Sequence, residues 1–292
     1  MSSSLAFWLF GLMSRLPLSV LHRLGVVAGW LTYLTSRKYA ERLNENLLNG
    51  WDGSDEAEFQ RLLEANVAES GKGVAELPWM WRRPLAQVVA SVKECHGWEL
   101  VEAAQVQGKG LIILTPHIGC FEVIGQYVGD KLPMTCMYRV PKLAWLDKVM
   151  RAGRERGQMK LARADIGGVR TLLKALKRGE VIGVLPDQVP GSGEGEWAPF
   201  FGRPAYTMTL VKRLLESSGA AVVMCYAQRL PQGGGYAMHF SPFRFDAQAP
   251  IPQQMNAALE AVIRTCPEQY LWSYNRYKIP RGAQPPETPK EQ

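Results

Sequence analysis

A chain of 292 residues that is 47% hydrophobic and 21% charged can bury a sizeable core without staples, and it suits one large α/β domain or two small ones. Its five cysteines (Cys95, Cys120, Cys136, Cys225, Cys266) form no Cys-x-x-Cys pair and are joined by only four scattered histidines, which argues against a disulfide framework or a zinc site. The net charge of +7 selects acidic partners such as anionic lipid, phosphorylated substrate or an acidic protein. No RNA-recognition or helix-turn-helix signature is present, so no nucleic acid is expected.

Residues 5–36 are rich in Leu, Phe, Trp and Val but are interrupted by Arg15, Pro17, His22 and Arg23. The longest uncharged runs, 1–14 and 24–36, are shorter than the ~20 residues of a spanning helix. No small-residue cleavage site follows a charged start, so no signal peptide is expected. Trp8 and Trp30 with interspersed arginines read as an interfacial anchor, with a tilted span or a core-packing helical pair as the alternatives. The chain is therefore divided into a membrane-associating segment, 1–36, a main domain, 37–280, and a polar, Pro-rich tail, 281–292.

Helical spacing marks 39–48 and 55–70. Strand and helix signals then alternate: strand 111–114, helix 121–128, strand 134–138, helices 145–157 and 167–178, and strand 181–185. Helix 208–217, strand 220–228, the turn Gly233-Gly234-Gly235, a hairpin strand 236–240 and helix 252–265 complete the series. This order predicts an α/β fold with a mixed, mostly parallel sheet covered by helices. Sites in such sheets form on loops at the carboxyl ends of strands, which singles out the loops after Leu114 and Leu185.

The first loop reads Thr115-Pro116-His117-Ile118-Gly119-Cys120-Phe121-Glu122. With His117 in the loop and Glu122 in the first helical turn, the carboxylate can fold back onto the imidazole and fix its tautomer, leaving the other nitrogen to take a proton. The competing reading is a structural histidine at a strand end, and Cys120 offers a thiol as a second candidate nucleophile. The second loop carries Asp187 and Gln188, then the glycine-rich stretch 191–195, which has neither a Walker nor a dinucleotide pattern. Asp187 can orient substrate, support a neighbouring arginine, or simply end a strand. Arg139, Arg154 and Arg276 suit phosphate, carboxylate or a developing oxyanion, against a plain solvated surface. No Gly-x-Ser-x-Gly elbow points to a serine hydrolase.

Taken together, these segments resemble the lipid A late acyltransferases, within the wider glycerolipid acyltransferase superfamily. His117 and Glu122 match the His-x4-Asp/Glu motif, in the His-x-Gly-x-x-Glu form of the lipid A branch. Tyr138-Arg139 with Arg154, Pro186-Asp187-Gln188, Phe200-Phe201-Gly202 and the block from Gln269 to Lys278 follow in the family's order. The resemblance implies a His117–Glu122 catalytic dyad and substrate binding by Arg139, Arg154, Asp187, Gln188 and Arg276. It implies an acyl-carrier-protein thioester as donor, a Kdo-bearing lipid A precursor as acceptor, and the cytoplasmic face of the bacterial inner membrane as the workplace, with no metal or cofactor. Asn275 departs from the family, standing where many members carry a second basic residue. Another acceptor, a lysophospholipid or a glycolipid, and a non-catalytic lipid-binding role are the rival readings.

Overall fold

The computed structural model describes residues 3–286 except 54 and 247, with side chains from Phe7 onward. The remainder of the predicted tail, 287–292, lies outside the described residues. Six helices come first: α1 (Ser3–Met13), α2 (Leu18–Thr35), α3 (Arg37–Gly50), α4 (Glu56–Ala75), α5 (Leu77–Arg82) and α6 (Leu85–Val89). Strands and helices then alternate as β1 (Val92–His96), α7 (Trp98–Gln107), β2 (Leu111–Leu114), α8 (Phe121–Lys131), β3 (Met134–Tyr138), α9 (Ala144–Arg154), β4 (Met159–Arg163), α10 (Ile166–Lys177) and β5 (Val181–Val184). A hairpin of β6 (Gly195–Phe200) and β7 (Arg203–Met208) precedes α11 (Leu210–Ser218), β8 (Ala221–Arg229), β9 (Tyr236–Pro242) and α12 (Ile251–Thr265).

Among the described residues, seven strands form one sheet in the order β1-β9-β8-β2-β5-β3-β4. The five strands from β8 to β4 are mutually parallel, and β9 with β1 runs against them. The α/β, mostly parallel mixed sheet expected from the sequence is therefore present. Its centre is β2 and β5, two wholly buried apolar runs, as strands covered on both faces must be. Alternation divides β2 between the two sides. Ile112 and Leu114 pack with Leu172 of α10, Leu214 of α11 and Leu259 of α12. Leu111 and Ile113 pack with Val101 of α7, Ile124 of α8 and Val149 of α9.

Local chemistry sets several boundaries. Asp55 caps α4 by accepting from the amide of Ala57 at 2.9 Å, and Asp165 caps α10 by accepting from Gly168 at 2.9 Å. The predicted strands at 111–114, 134–138 and 181–185 appear within a residue of their expected bounds. The edge strands β1 and β4 escape the sequence reading because Lys93, Glu94, His96, Lys160 and Arg163 break the apolar pattern, as is usual where an edge faces water. Prolines 199 and 204 hide β6 and β7 in the same way.

The N-terminal helices are built into the fold. On α2, Leu18, Leu21, His22, Gly25 and Gly29 face inward. A Cβ at Gly29 would lie 2.4 Å from the Val67 carbonyl, and one at Gly71 of α4 would lie 1.9 Å from the Gly25 carbonyl, so only glycine permits this crossing. The outward face of α2 is also apolar, with Leu24, Val27, Leu31 and Leu34 exposed. No helix among the described residues is long and apolar enough to cross a membrane.

Candidate active site

Leu114 of β2 lies beside Val184 of β5 in the parallel ladder. His117 and Asp187 each follow three residues later, so the register brings the two loops together. The Nδ1 atom of His117 donates to Asp187 Oδ1 at 2.8 Å, and the His117 backbone amide donates to Asp187 Oδ2 at 2.8 Å. Asp187 is buried, which alone would push its carboxyl up. The imidazole and amide of His117 outweigh that burial and hold it below the usual carboxylate range. The other ring nitrogen, Nε2, faces the side-chain amide of Gln188 at 3.2 Å. An imidazole so held keeps Nε2 as its basic atom.

The partner of the imidazole is thus Asp187, and not Glu122 as the loop spacing predicts. Glu122 occupies the first turn of α8, and that helix aims its carboxylate at α5 and α9. Oε2 accepts from Trp81 Nε1 at 2.9 Å and from Arg154 Nε at 2.9 Å, while Oε1 takes the second arm of the Arg154 fork. Arg154 also lies over the Trp81 ring, 5.5 Å from its centroid. Burial would make its guanidinium easier to deprotonate, but the Glu122 carboxylate reverses that and keeps the cation firmly charged. Arg154 is therefore oriented by Glu122, and the carboxylate of Asp187 is taken up by His117.

These groups open on a cavity of about 570 Å³, whose polar lining includes His117, Glu122, Arg154 and Gln188. Its apolar wall comes from the sheet and adjoining helices, with Met134, Cys136, Gly183, Gly125 and Met159 among the lining residues. That mixture suits a long hydrocarbon chain delivered to a few polar groups. Arg139 is exposed and lines the cavity as well.

Arg276 takes a different place from the one expected. It is buried beneath the β6–β7 hairpin and α12, donating to the Tyr206 carbonyl at 2.8 Å, Thr207 Oγ1 at 2.8 Å and Asn256 Oδ1 at 3.2 Å. It satisfies backbone and side-chain acceptors there and does not line the cavity, so it is a core residue. Cys120 is not a plausible nucleophile. It is buried at the start of α8, and desolvation pushes its thiol well above the ordinary range. Among the described residues no group of three His, Cys, Asp or Glu side chains is placed to hold a metal ion. Trp81, which holds Glu122 from 41 positions upstream, had no signal in the sequence beyond its aromatic neighbours.

Residues 3–279 match the model of the family described as bacterial lipid A biosynthesis acyltransferase. The lipid A biosynthesis lauroyltransferase of Escherichia coli (strain K12) is 30% identical over 279 residues, covering 93% of this chain and 90% of the relative. The lipid A biosynthesis palmitoleoyltransferase of the same organism is 29% identical over 272 residues, covering 90% and 87%. Its lipid A biosynthesis myristoyltransferase is 24% identical over 259 residues, covering 87% and 78%. With the family model spanning nearly the whole chain, this protein belongs to the bacterial lipid A biosynthesis acyltransferases.

Proposed function

We propose that the chain transfers a fatty acyl group from an acyl-carrier-protein thioester to a hydroxyl of a Kdo-bearing lipid A precursor, with His117 as general base. The observation that carries this reading is the Asp187–His117 pair, with Nε2 turned to an apolar cavity that also contains a fixed arginine. The acyl chain lies along the apolar wall, bringing the thioester carbonyl to the polar end. A precursor hydroxyl displaces the Gln188 amide from Nε2, and His117 takes its proton as the oxygen attacks the carbonyl carbon. The C–O bond forms, the C–S bond breaks, and the imidazolium returns the proton to the departing thiolate.

Glu122 acts through Arg154, fixing the guanidinium as a donor to the developing oxyanion or to an acceptor phosphate. Arg139, at the exposed part of the lining, contributes a second cation for anionic substrate groups. The outward apolar stripe of α2 rests on the anionic cytoplasmic leaflet of the inner membrane, where an acidic carrier protein can reach the cavity.

The test is transfer by purified full-length protein, comparing carrier-protein thioester with coenzyme A thioester and Kdo-bearing with Kdo-free acceptor, read by mass spectrometry of the product. Product from the carrier-protein donor and the Kdo-bearing acceptor is the expected result. No product from that pair, with product from a lysophospholipid acceptor, would overturn the acceptor assignment.

A further inference from the structure

The His117 loop is held from behind by a buried charge cluster that has no part in the cavity. Arg229, the last residue of β8, is 7% exposed. Its Nη2 donates to the Gly119 carbonyl at 2.6 Å and to Glu76 Oε1 at 2.8 Å, while its Nε donates to the same carboxylate at 3.0 Å and 3.1 Å. Glu76 also accepts from the Tyr236 hydroxyl at 2.8 Å and pairs with His22 Nε2 of α2 at 3.1 Å. The Gly119 amide donates to the Gln269 carbonyl at 3.0 Å. The Gln269 side chain in turn bonds both backbone groups of Arg229, at 2.8 Å and 3.1 Å.

Both polar groups of the Gly119 peptide are therefore gripped by one assembly, two residues from the imidazole. Gly119 itself sits at φ +58°, and a Cβ there would lie 1.9 Å from the Ala227 carbonyl, so the loop is seated directly on β8. Neither Arg229 nor Glu76 lines the cavity, so neither meets substrate. Replacing a buried ion pair with uncharged groups of similar size is often neutral for stability, so the fold alone does not demand these charges.

We propose that Arg229 is a positioning residue for His117, clamped by Glu76 and fixing the loop through the Gly119 carbonyl. This rests on the reading of His117 as the base. An imidazole released by about 1 Å loses on the order of 10²-fold in rate. The test uses Glu76→Gln/Arg229→Met, which removes both charges together, and Arg229→Lys, which keeps the ion pair but lacks the guanidinium fork. In full-length protein that melts like wild type, each lowers kcat by roughly 10–100-fold with KM for donor and acceptor within about three-fold.

The same substitutions are repeated in His117→Ala, where residual turnover falls less than about two-fold further because the group being positioned is gone. An equal loss in both backgrounds, or a folded variant with near-normal kcat, overturns the proposal. Near-normal turnover of His117→Ala itself instead overturns the base assignment. Should the double variant not fold, Arg229→Lys decides by the same criteria.

Discussion

Asp187 accepts two hydrogen bonds from one residue, taking the ring Nδ1 and the backbone amide of His117 at 2.8 Å each. One carboxylate thereby sets the tautomer of the imidazole and anchors the loop that carries it. Replacing Asp187 with Ala removes both contacts and lets the ring rotate. We expect transfer to fall by about 10²–10⁴-fold, close to the loss in His117→Ala, because base catalysis needs the oriented ring. Combining the two substitutions adds little, since they disable one unit. A double variant far slower than either single variant would show that Asp187 works elsewhere.

Arg154 is the second test. With Glu122 and Trp81 holding it at the cavity, loss of its guanidinium removes one fixed donor, typically worth about 2.7–4 kcal/mol in the transition state or roughly 10²–10³ in kcat. Glu122→Ala leaves the largely buried cation without its partner, so it lowers both kcat and thermal stability. Arg154→Ala kinetics within a few-fold of wild type would reduce the pair to a structural tie.

The parts of this site that the sequence revealed are those written in contiguous residues. The apolar runs 111–114 and 181–184 read as central strands because burial on both faces removes all polar residues, and the rule for open sheets then marks the loops carrying His117 and Asp187. Which carboxylate meets the imidazole was not legible. The answer depends on β2 and β5 being neighbours in register, a long-range fact that no local pattern encodes. Spacing favoured Glu122, five residues away, over Asp187, seventy residues away. Likewise Arg276 stands in a motif rich in aromatics and base, and only the packing of β6–β7 over it reveals a core residue. The Glu76–Arg229 pair joins residues 153 apart and gave no signal.

We expect the apolar wall to set the length of acyl chain that the cavity accepts. A Cβ at Gly125 would lie 2.9 Å from the Met159 Cε, the movable end of a flexible side chain, and one at Gly183 would meet Cys136 Sγ at 2.6 Å. The long, flexible Met159 side chain yields to a new neighbour more readily than the short Cys136 side chain does. Gly125→Leu is therefore expected to fold and to narrow the cavity, shifting selection toward shorter acyl chains. Competition among carrier-protein thioesters of graded length, read as product ratios, checks this. An unchanged ratio would place the end of the acyl chain elsewhere.

Acid should weaken the molecule through Glu76. Burial pushes its carboxyl up, but Arg229 and His22 prevail and hold it at about 2, against 4.5 for an unperturbed glutamate. Because the folded value is the lower one, this stabilisation is complete above about pH 4.5 and is lost as pH falls from there toward 2. The shift corresponds to a loss on the order of 3 kcal/mol. Denaturant melts between pH 6 and pH 3 should show a steeper decline for wild type than for Glu76→Gln/Arg229→Met. Parallel curves would mean that Glu76 does not set the acid limit.

The last prediction concerns α2, whose two faces are both apolar for different reasons. Gly25 and Gly29 fit its inner face against α4, whereas Leu24, Val27, Leu31 and Leu34 follow one another at helical spacing on the outer face, with Leu34 75% exposed. Burying such a side chain is worth roughly 1.5–3 kcal/mol, and each nearby cation, among them Arg15 and Arg23, adds about 1 kcal/mol at an anionic leaflet. Deleting residues 1–36 would strip the core of Leu18 and Leu21, so the cleaner variant is Leu24→Glu/Val27→Glu/Leu31→Glu, which touches only the outer face. It should melt like wild type, sediment far less with anionic liposomes, and lose more activity on liposome-embedded acceptor than on detergent-dispersed acceptor. High salt should release part of the wild-type protein by screening the basic residues. Equal sedimentation of variant and wild type would leave the stripe without a role at the membrane.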